Sequence, residues 1–330
     1  MHLIFSLFAI TVLLLLAWVG VDVIGWNYLF GGILPLATIV IFIIGMIYNV
    51  IKWAKSPVPF RIPTTCGQQK TLPWIKANNL ESPYNIWGVL GRMALEVLFF
   101  RSLFRNTKVG LKDGPKLVYG STKWLWLGGL VFHWSFLIVF IRHFKFFAEP
   151  VPSWIMTIQN LDSFFQIGLP VLYLTDLALL AALTFLFLRR LFDSKLRYIS
   201  LAADYFPLLL ILAIAVTGVL MRYFTKVDII SIKEMAMSWL TFSPSVPEGV
   251  SALFYMHLFL VCCLFLYFPF SKLTHMAGVF MSPTRNLINN NRAKRHVNPW
   301  DFPVKVHTYE EYEDEFREVM KAAEMPLEKE

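Results

Sequence analysis

Seven histidines occur in the 330 residues, and four of them, His133, His143, His257 and His275, fall on two of the chain's apolar helices, the third and the sixth. An ionisable side chain at membrane depth is costly and rare, so its default reading is functional, although a lone histidine can also simply hydrogen-bond across helices. Pairing sharpens the reading. A b-type haem takes two neutral imidazoles from facing helices, one above and one below the iron, and helical bundles build cofactor sites in this way. At about 100° per residue, His133 and His143 stand about 80° apart and His257 and His275 nearly coincide, so each pair can face the bundle interior. Opposite helix directions then match His133 with His275 and His143 with His257. Ten residues rise about 15 Å and eighteen about 27 Å, a mismatch that helix tilt, oblique haems and a kink at Pro269 are expected to absorb. His275 lies beyond Lys272, which puts its haem close to the cytoplasmic interface. His2, His296 and His307 are terminal or in the tail and take no ligand role.

Three neighbours join the candidate set. Arg142 and Lys145 flank His143 and can bind haem propionates or a quinone carbonyl, or can snorkel to the membrane edge. Asp176, about ten residues into the fourth apolar helix, needs a partner or must stay protonated, which suits a proton path or a quinol contact. Cys66, Cys262 and Cys263 form no CxxC pair, no CxxCH attachment motif and no iron–sulfur spacing, so covalent haem and clusters are excluded within this sequence.

The elements that must position these residues follow from composition. The chain is 57% hydrophobic and 16% charged, with a mean hydropathy of +0.57, far from a water-soluble domain. Six stretches reach the length of a membrane-spanning helix, near 2–21, 29–51, 124–146, 167–188, 205–223 and 251–271. The first is read as a retained helix rather than a signal peptide, because its apolar run is long and no basic residue precedes it. Strand-period alternation is absent, which argues against a β-barrel. Lys52 to Lys123 carries twelve basic residues and Arg189 to Asp204 four, whereas Ala148 to Ile167 has none. The basic segments are therefore cytoplasmic, and both termini lie inside. The net charge of +8 is mostly this topology signal and not a mark of nucleic-acid binding.

The expected architecture is an all-α membrane protein in four parts. Residues 1–51 form two N-terminal transmembrane helices, and 52–123 a cytoplasmic insertion rich in proline near Pro57, Pro59 and Pro63. Residues 124–281 form a four-helix di-haem b core and 282–330 a charged cytoplasmic tail. From Asn85 to Arg105 the insertion has helical periodicity, with Ile86, Val89, Leu90, Met93, Val97 and Phe100 apolar and Arg92, Arg101 and Arg105 charged, the pattern of an interfacial amphipathic helix. The tail segment Tyr309 to Met320 also has helical potential, as a solvated appendage or as a docking arm for a cytoplasmic partner. No internal repeat is visible, unlike the repeat-built transporters.

The ten- and eighteen-residue histidine spacings resemble the NarI-type γ subunit of respiratory nitrate reductase, a quinol-oxidising di-haem b cytochrome. Arg61-Ile62-Pro63-Thr64-Thr65-Cys66-Gly67-Gln68-Gln69-Lys70, then Pro73-Trp74-Ile75-Lys76, and Asn298-Pro299-Trp300-Asp301 in the tail resemble the DsrM family over nearly the whole chain. These are the membrane cytochrome b subunits of DsrMKJOP complexes in sulfur-metabolising prokaryotes. The sequence departs from the nitrate reductase subunit in its extra first helix and long insertion. The resemblance implies two haem b, menaquinol oxidation near one haem, and electron transfer to DsrK, a cytoplasmic iron–sulfur partner of the heterodisulfide-reductase type. That transfer would serve DsrC trisulfide reduction, with DsrJ, DsrO and DsrP as further partners. Two rival classes are a proton- or metal-coupled transporter using intramembrane His and Asp, and a structural membrane anchor.

Overall fold

The computed structural model describes residues 1–58, 67–163, 171–292, 294 and 306–329. The Pro59, Arg61, Pro63 and Thr64-Thr65-Cys66 part of the insertion, residues 167–170 of the expected fourth span, His296 and the 298–303 run lie outside the described residues.

The chain is mostly helical. In order, α1 covers His2–Trp18 and α2 Leu34–Ala54; α3 (Ile86–Phe99) and α4 (Arg101–Arg105) lie in the insertion. A hairpin of β1 (Thr107–Lys112) and β2 (Lys116–Ser121) then leads into α5, Lys123–His143. Next come α6 (Ser153–Asp162), α7 (Leu174–Phe192), α8 (Ser194–Ile199), α9 (Ala202–Leu220), α10 (Ile229–Leu240) and α11 (Ala252–Tyr267). Two single-turn helices, α12 (His275–Gly278) and α13 (Pro283–Asn286), and the tail helix α14 (Tyr309–Ala322) follow.

Among the described residues, five helical stretches, counted with their flanking π and 3-10 turns, are long and apolar enough to cross a membrane: His2–Val23, Leu29–Ala54, Lys123–Phe147, Ala202–Thr225 and Ala252–Phe270. The expected fourth span corresponds to α7, which packs against α5 and α9 but carries Asp176, Arg189 and Arg190 within nineteen residues. Pro35 lies where the π turn Leu29–Ile33 runs into α2, and its missing N–H falls at that irregular turn, where wider i→i+5 bonding replaces the α-helical ladder. The centre of the bundle is a dry layer in which Ile10 of α1, Leu183 of α7, Leu210 of α9 and Leu260 of α11 meet. A second cluster joins Ala17 and Phe30 to Met235, Trp239 and Tyr255. Outward-facing residues such as Ile4, Phe8 and Ile44 stay exposed, as lipid-facing side chains do, since acyl chains replace protein as the apolar solvent.

The structure corrects the sequence reading at four places. The sixth span does not continue to His275: α11 ends at Tyr267, Phe268–Phe270 tighten to a 3-10 turn, and Ser271 is extended (φ −126, ψ 177), so His275 starts a separate helix. Proline at 269 and the loss of helical backbone at 271 end the hydrogen-bond ladder, and the eighteen-residue rise no longer applies. Asp176 sits in the first turn of α7 and not ten residues into a helix.

The insertion contains a β-hairpin, with Val109 opposite Tyr119 and Leu111 opposite Leu117 on one face and an Asp113-Gly114 turn. Lastly, the Asn85 to Arg105 segment does form helix, capped by the Asn85 side chain on the Gly88 N–H at 2.9 Å and interrupted at Phe100 (φ 50). Its Arg92, however, is buried and belongs to no polar face. It donates to the carbonyls of Glu81 (3.1 Å), Leu287 (3.2 Å) and Arg285, clasping the start of the tail to the insertion.

Candidate functional site

Each of the four histidines is anchored through Nδ1. His133 donates to the Gly129 carbonyl at 2.7 Å, His143 to Val139 at 2.7 Å and His275 to Lys272 at 2.8 Å. A carbonyl can only accept, so Nδ1 carries the proton in each of these rings and Nε2 keeps a free lone pair. His257 is held differently, by the Thr217 hydroxyl of α9 at 2.9 Å. Among the described residues none of the four Nε2 atoms enters a hydrogen bond. Anchoring one ring nitrogen and leaving the other free is how metal-ligating histidines are oriented. By surface area His133, His143 and His275 are exposed and His257 is half-buried.

The His133 and His275 rings have centroids 6.1 Å apart with planes at 80°. With metal–imidazole bonds of about 2 Å, that separation is large enough for one metal ion to be held between the two rings. Phe100 and Phe132 stand edge-on to His133 with centroids at 4.9 and 4.8 Å, an apolar wall. On α9, a Cβ at Gly218 would come within 3.3 Å of His257 Cε1, so the missing side chain makes room for the ring. Among the described residues no three His, Cys, Asp or Glu side chains converge as a cage for a bare ion. Paired imidazoles without further donors suit a metal whose remaining ligands come from a macrocycle, so the residues fit haem.

One residue before His143, Arg142 is buried and engaged twice. It ion-pairs with Asp162 at the end of α6 and with Asp176 Oδ1 at 2.6 Å, and its guanidinium lies 3.8 Å from the Tyr173 ring centre. Asp162 also accepts from the Thr175 N–H (2.9 Å) and hydroxyl (2.6 Å), and Asp176 Oδ2 accepts from Tyr223 at 2.8 Å. Arg142 therefore does not snorkel; it ties the ends of α5, α6, α7 and α9 together beside His143. Lys145 donates to Gln159 Oε1 at 3.0 Å, which leaves two of its N–H groups for another acceptor. The reading from sequence missed Asp162, Thr217 and Tyr223, residue types that carry no special signal until folding brings them next to Arg142 and His257.

An apolar helical bundle carrying paired, singly anchored imidazoles defines a membrane protein of the cytochrome b class. Residues 85–295 match the nitrate reductase gamma subunit family, and the chain belongs to it. The chain is similar to the Hdr-like menaquinol oxidoreductase cytochrome b-like subunit of Archaeoglobus fulgidus, 48% identical over 280 residues and 83% of each chain. Its similarity to the subunit of the same description from Archaeoglobus profundus is 42% over 275 residues, 81% of each chain.

Proposed function

We propose that this chain is a di-haem b subunit that oxidises menaquinol and passes electrons to a cytoplasmic iron–sulfur partner in dissimilatory sulfur metabolism. The observation that carries the proposal is the fourfold repetition of one anchored and one free ring nitrogen, with the His133 and His275 rings 6.1 Å apart between their centroids. His133 and His275 hold one haem b, and His143 and His257 the other. Bound there, the two groups supply a one-electron relay between the two ends of the bundle. Menaquinol as substrate is supported by the description of both relatives as menaquinol oxidoreductase subunits.

The chain's own groups have distinct tasks at the quinol. Lys145 offers spare N–H donors to a quinone oxygen on the His143 side. Asp176, whose oxygens pair with Arg142 and accept from Tyr223, would take up a quinol proton at the Tyr223 side and pass it outward. The basic insertion and loop support a cytoplasmic-membrane protein with both termini inside. On that side the insertion (52–123) and the tail (282–330), clasped together by Arg92, offer the face for a DsrK-like partner, with counterparts of DsrJ, DsrO and DsrP completing the complex.

A quinol experiment tests this directly. The purified chain in lipid nanodiscs, given a soluble menaquinol analogue, reduces most of the haem that dithionite reduces. Haem that responds to dithionite but not to the quinol would leave a b cytochrome without the proposed substrate.

A further inference from the structure

The broken sixth span is braced by a single stripe of α2. Gly45, Asn49 and Trp53 recur every four residues and so share one helix face. A Cβ on Gly45 would lie 2.7 Å from the Cβ of Pro269, closer than two carbons can approach, so glycine is what lets α2 close on the proline. One turn further, the Asn49 side-chain amide donates to the Pro269 carbonyl at 2.7 Å. Another turn on, the Trp53 indole stands 3.7 Å from where a Cβ of Gly278 would be, in the short helix that begins with His275.

A helix broken near the membrane interface leaves carbonyls without their ladder partners, and in an apolar medium each must find another donor. Asn49 supplies that donor at the break. Beyond it the chain is held by local bonds: Ser271 Oγ accepts from the Leu273 N–H at 3.2 Å, Thr274 donates to the Ser271 carbonyl at 2.9 Å, and His275 closes on Lys272. The placement of His275 against His133 therefore starts from Pro269. The brace lies in residues 34–54, outside the 85–295 family match.

We propose that Asn49, seated by Gly45 and Trp53, is a positioning residue for His275. It fixes the broken end of the sixth span so that His275 faces His133, an inference that rests on the di-haem reading above. Potentiometric titration and low-temperature electron paramagnetic resonance of the full-length protein test it, on Asn49→Leu, Asn49→Gln and Gly45→Ala. In Asn49→Leu the haem of His133 and His275 alone shifts in potential and signal and is retained about 10–100-fold less tightly, as expected for loss of an orienting partner. Asn49→Gln, which keeps the amide, restores it in part, and Gly45→Ala, which pushes Pro269 away, reproduces the defect.

Both haems at wild-type potential and content in Asn49→Leu would overturn the inference. So would equal loss of both haems from all three variants, which would make the stripe a general folding element. A wild-type protein without two haems would instead refute the di-haem reading itself.

Discussion

The hydroxyl of Thr217 on α9 lies 2.9 Å from Nδ1 of His257 on α11. The same hydroxyl is 2.8 Å from the Ala213 carbonyl and 3.0 Å from the Ile214 carbonyl, which take its one proton. Oγ1 is then the acceptor for Nδ1–H, and His257 has the same tautomer as the other three histidines. Of the four, it is the one with a side-chain hydroxyl at its Nδ1, beside the Ile214 carbonyl that the same hydroxyl engages, so this part of its anchor can be removed without touching the main chain. Thr217→Val keeps the shape and deletes the acceptor. It should weaken haem retention at the His143 and His257 pair by about 10–100-fold and leave the other pair intact. Haem content after extended dialysis, resolved by potential, checks this; equal retention at both pairs would contradict it.

Arg142 is buried between two carboxylates with side-chain exposures of 2% at Asp162 and 11% at Asp176. Removing one partner of such a buried cluster leaves charge without compensation, at a cost on the order of 3–5 kcal/mol. Arg142→Met should therefore lower the thermal unfolding temperature more than Asp176→Asn, because after the latter change Arg142 still holds Asp162. Unfolding in mild detergent gives the order, and a more damaging Asp176→Asn would contradict the clamp.

Arg92 reaches across 193 and 195 residues to the carbonyls of Arg285 and Leu287. Asn289 N–H adds a bond to the Pro83 carbonyl at 2.8 Å, so insertion and tail form one clasped unit. Arg92→Leu should free the tail, and tryptic cleavage after Arg285 should become several-fold faster while the His143 and His257 haem keeps its spectrum. An unchanged cleavage rate would show that the clasp does not hold the tail.

In the tail, Glu313 accepts the main-chain N–H of Glu328 at 2.7 Å and of Lys329 at 3.1 Å, with Arg317 at 3.2 Å. The Glu328 N–H, then that of Lys329 and the charge of Arg317, hold the Glu313 carboxyl below the usual carboxylate range. A depressed folded value means the contact stabilises the fold-back fully above the unfolded pKa, about 4.3, and is lost as pH falls through the folded value. Hydrogen exchange over 306–329 should thus show protection at neutral pH that disappears in acid, and Glu313→Gln should remove it at neutral pH. Protection indifferent to both changes would contradict this.

The helices that build the site were legible because a bilayer demands long apolar runs, and the four histidines stood out because membrane depth makes them rare. What was hidden depends on contacts far apart in sequence. Pro269 announced a kink, but where the helix breaks is set with Gly45 and Asn49, more than two hundred residues earlier. Arg92 looked like one charge on an amphipathic face, yet its partners are main-chain carbonyls that no side-chain pattern reveals. The hairpin did leave a signal, alternating Val109 and Leu111 with an Asp113-Gly114 turn. It is short, and its apolar residues pair only with each other and remain exposed, so it lacks the buried face that makes a strand conspicuous.

Haem quantification in histidine variants tests the central claim most directly. A dithionite-reduced minus oxidised spectrum with pyridine haemochrome quantification should give two b haems per chain. His133→Ala and His275→Ala should lose one and the same haem, and His143→Ala and His257→Ala the other. Well-folded protein with no haem, or losses that pair His133 with His257, would contradict the account.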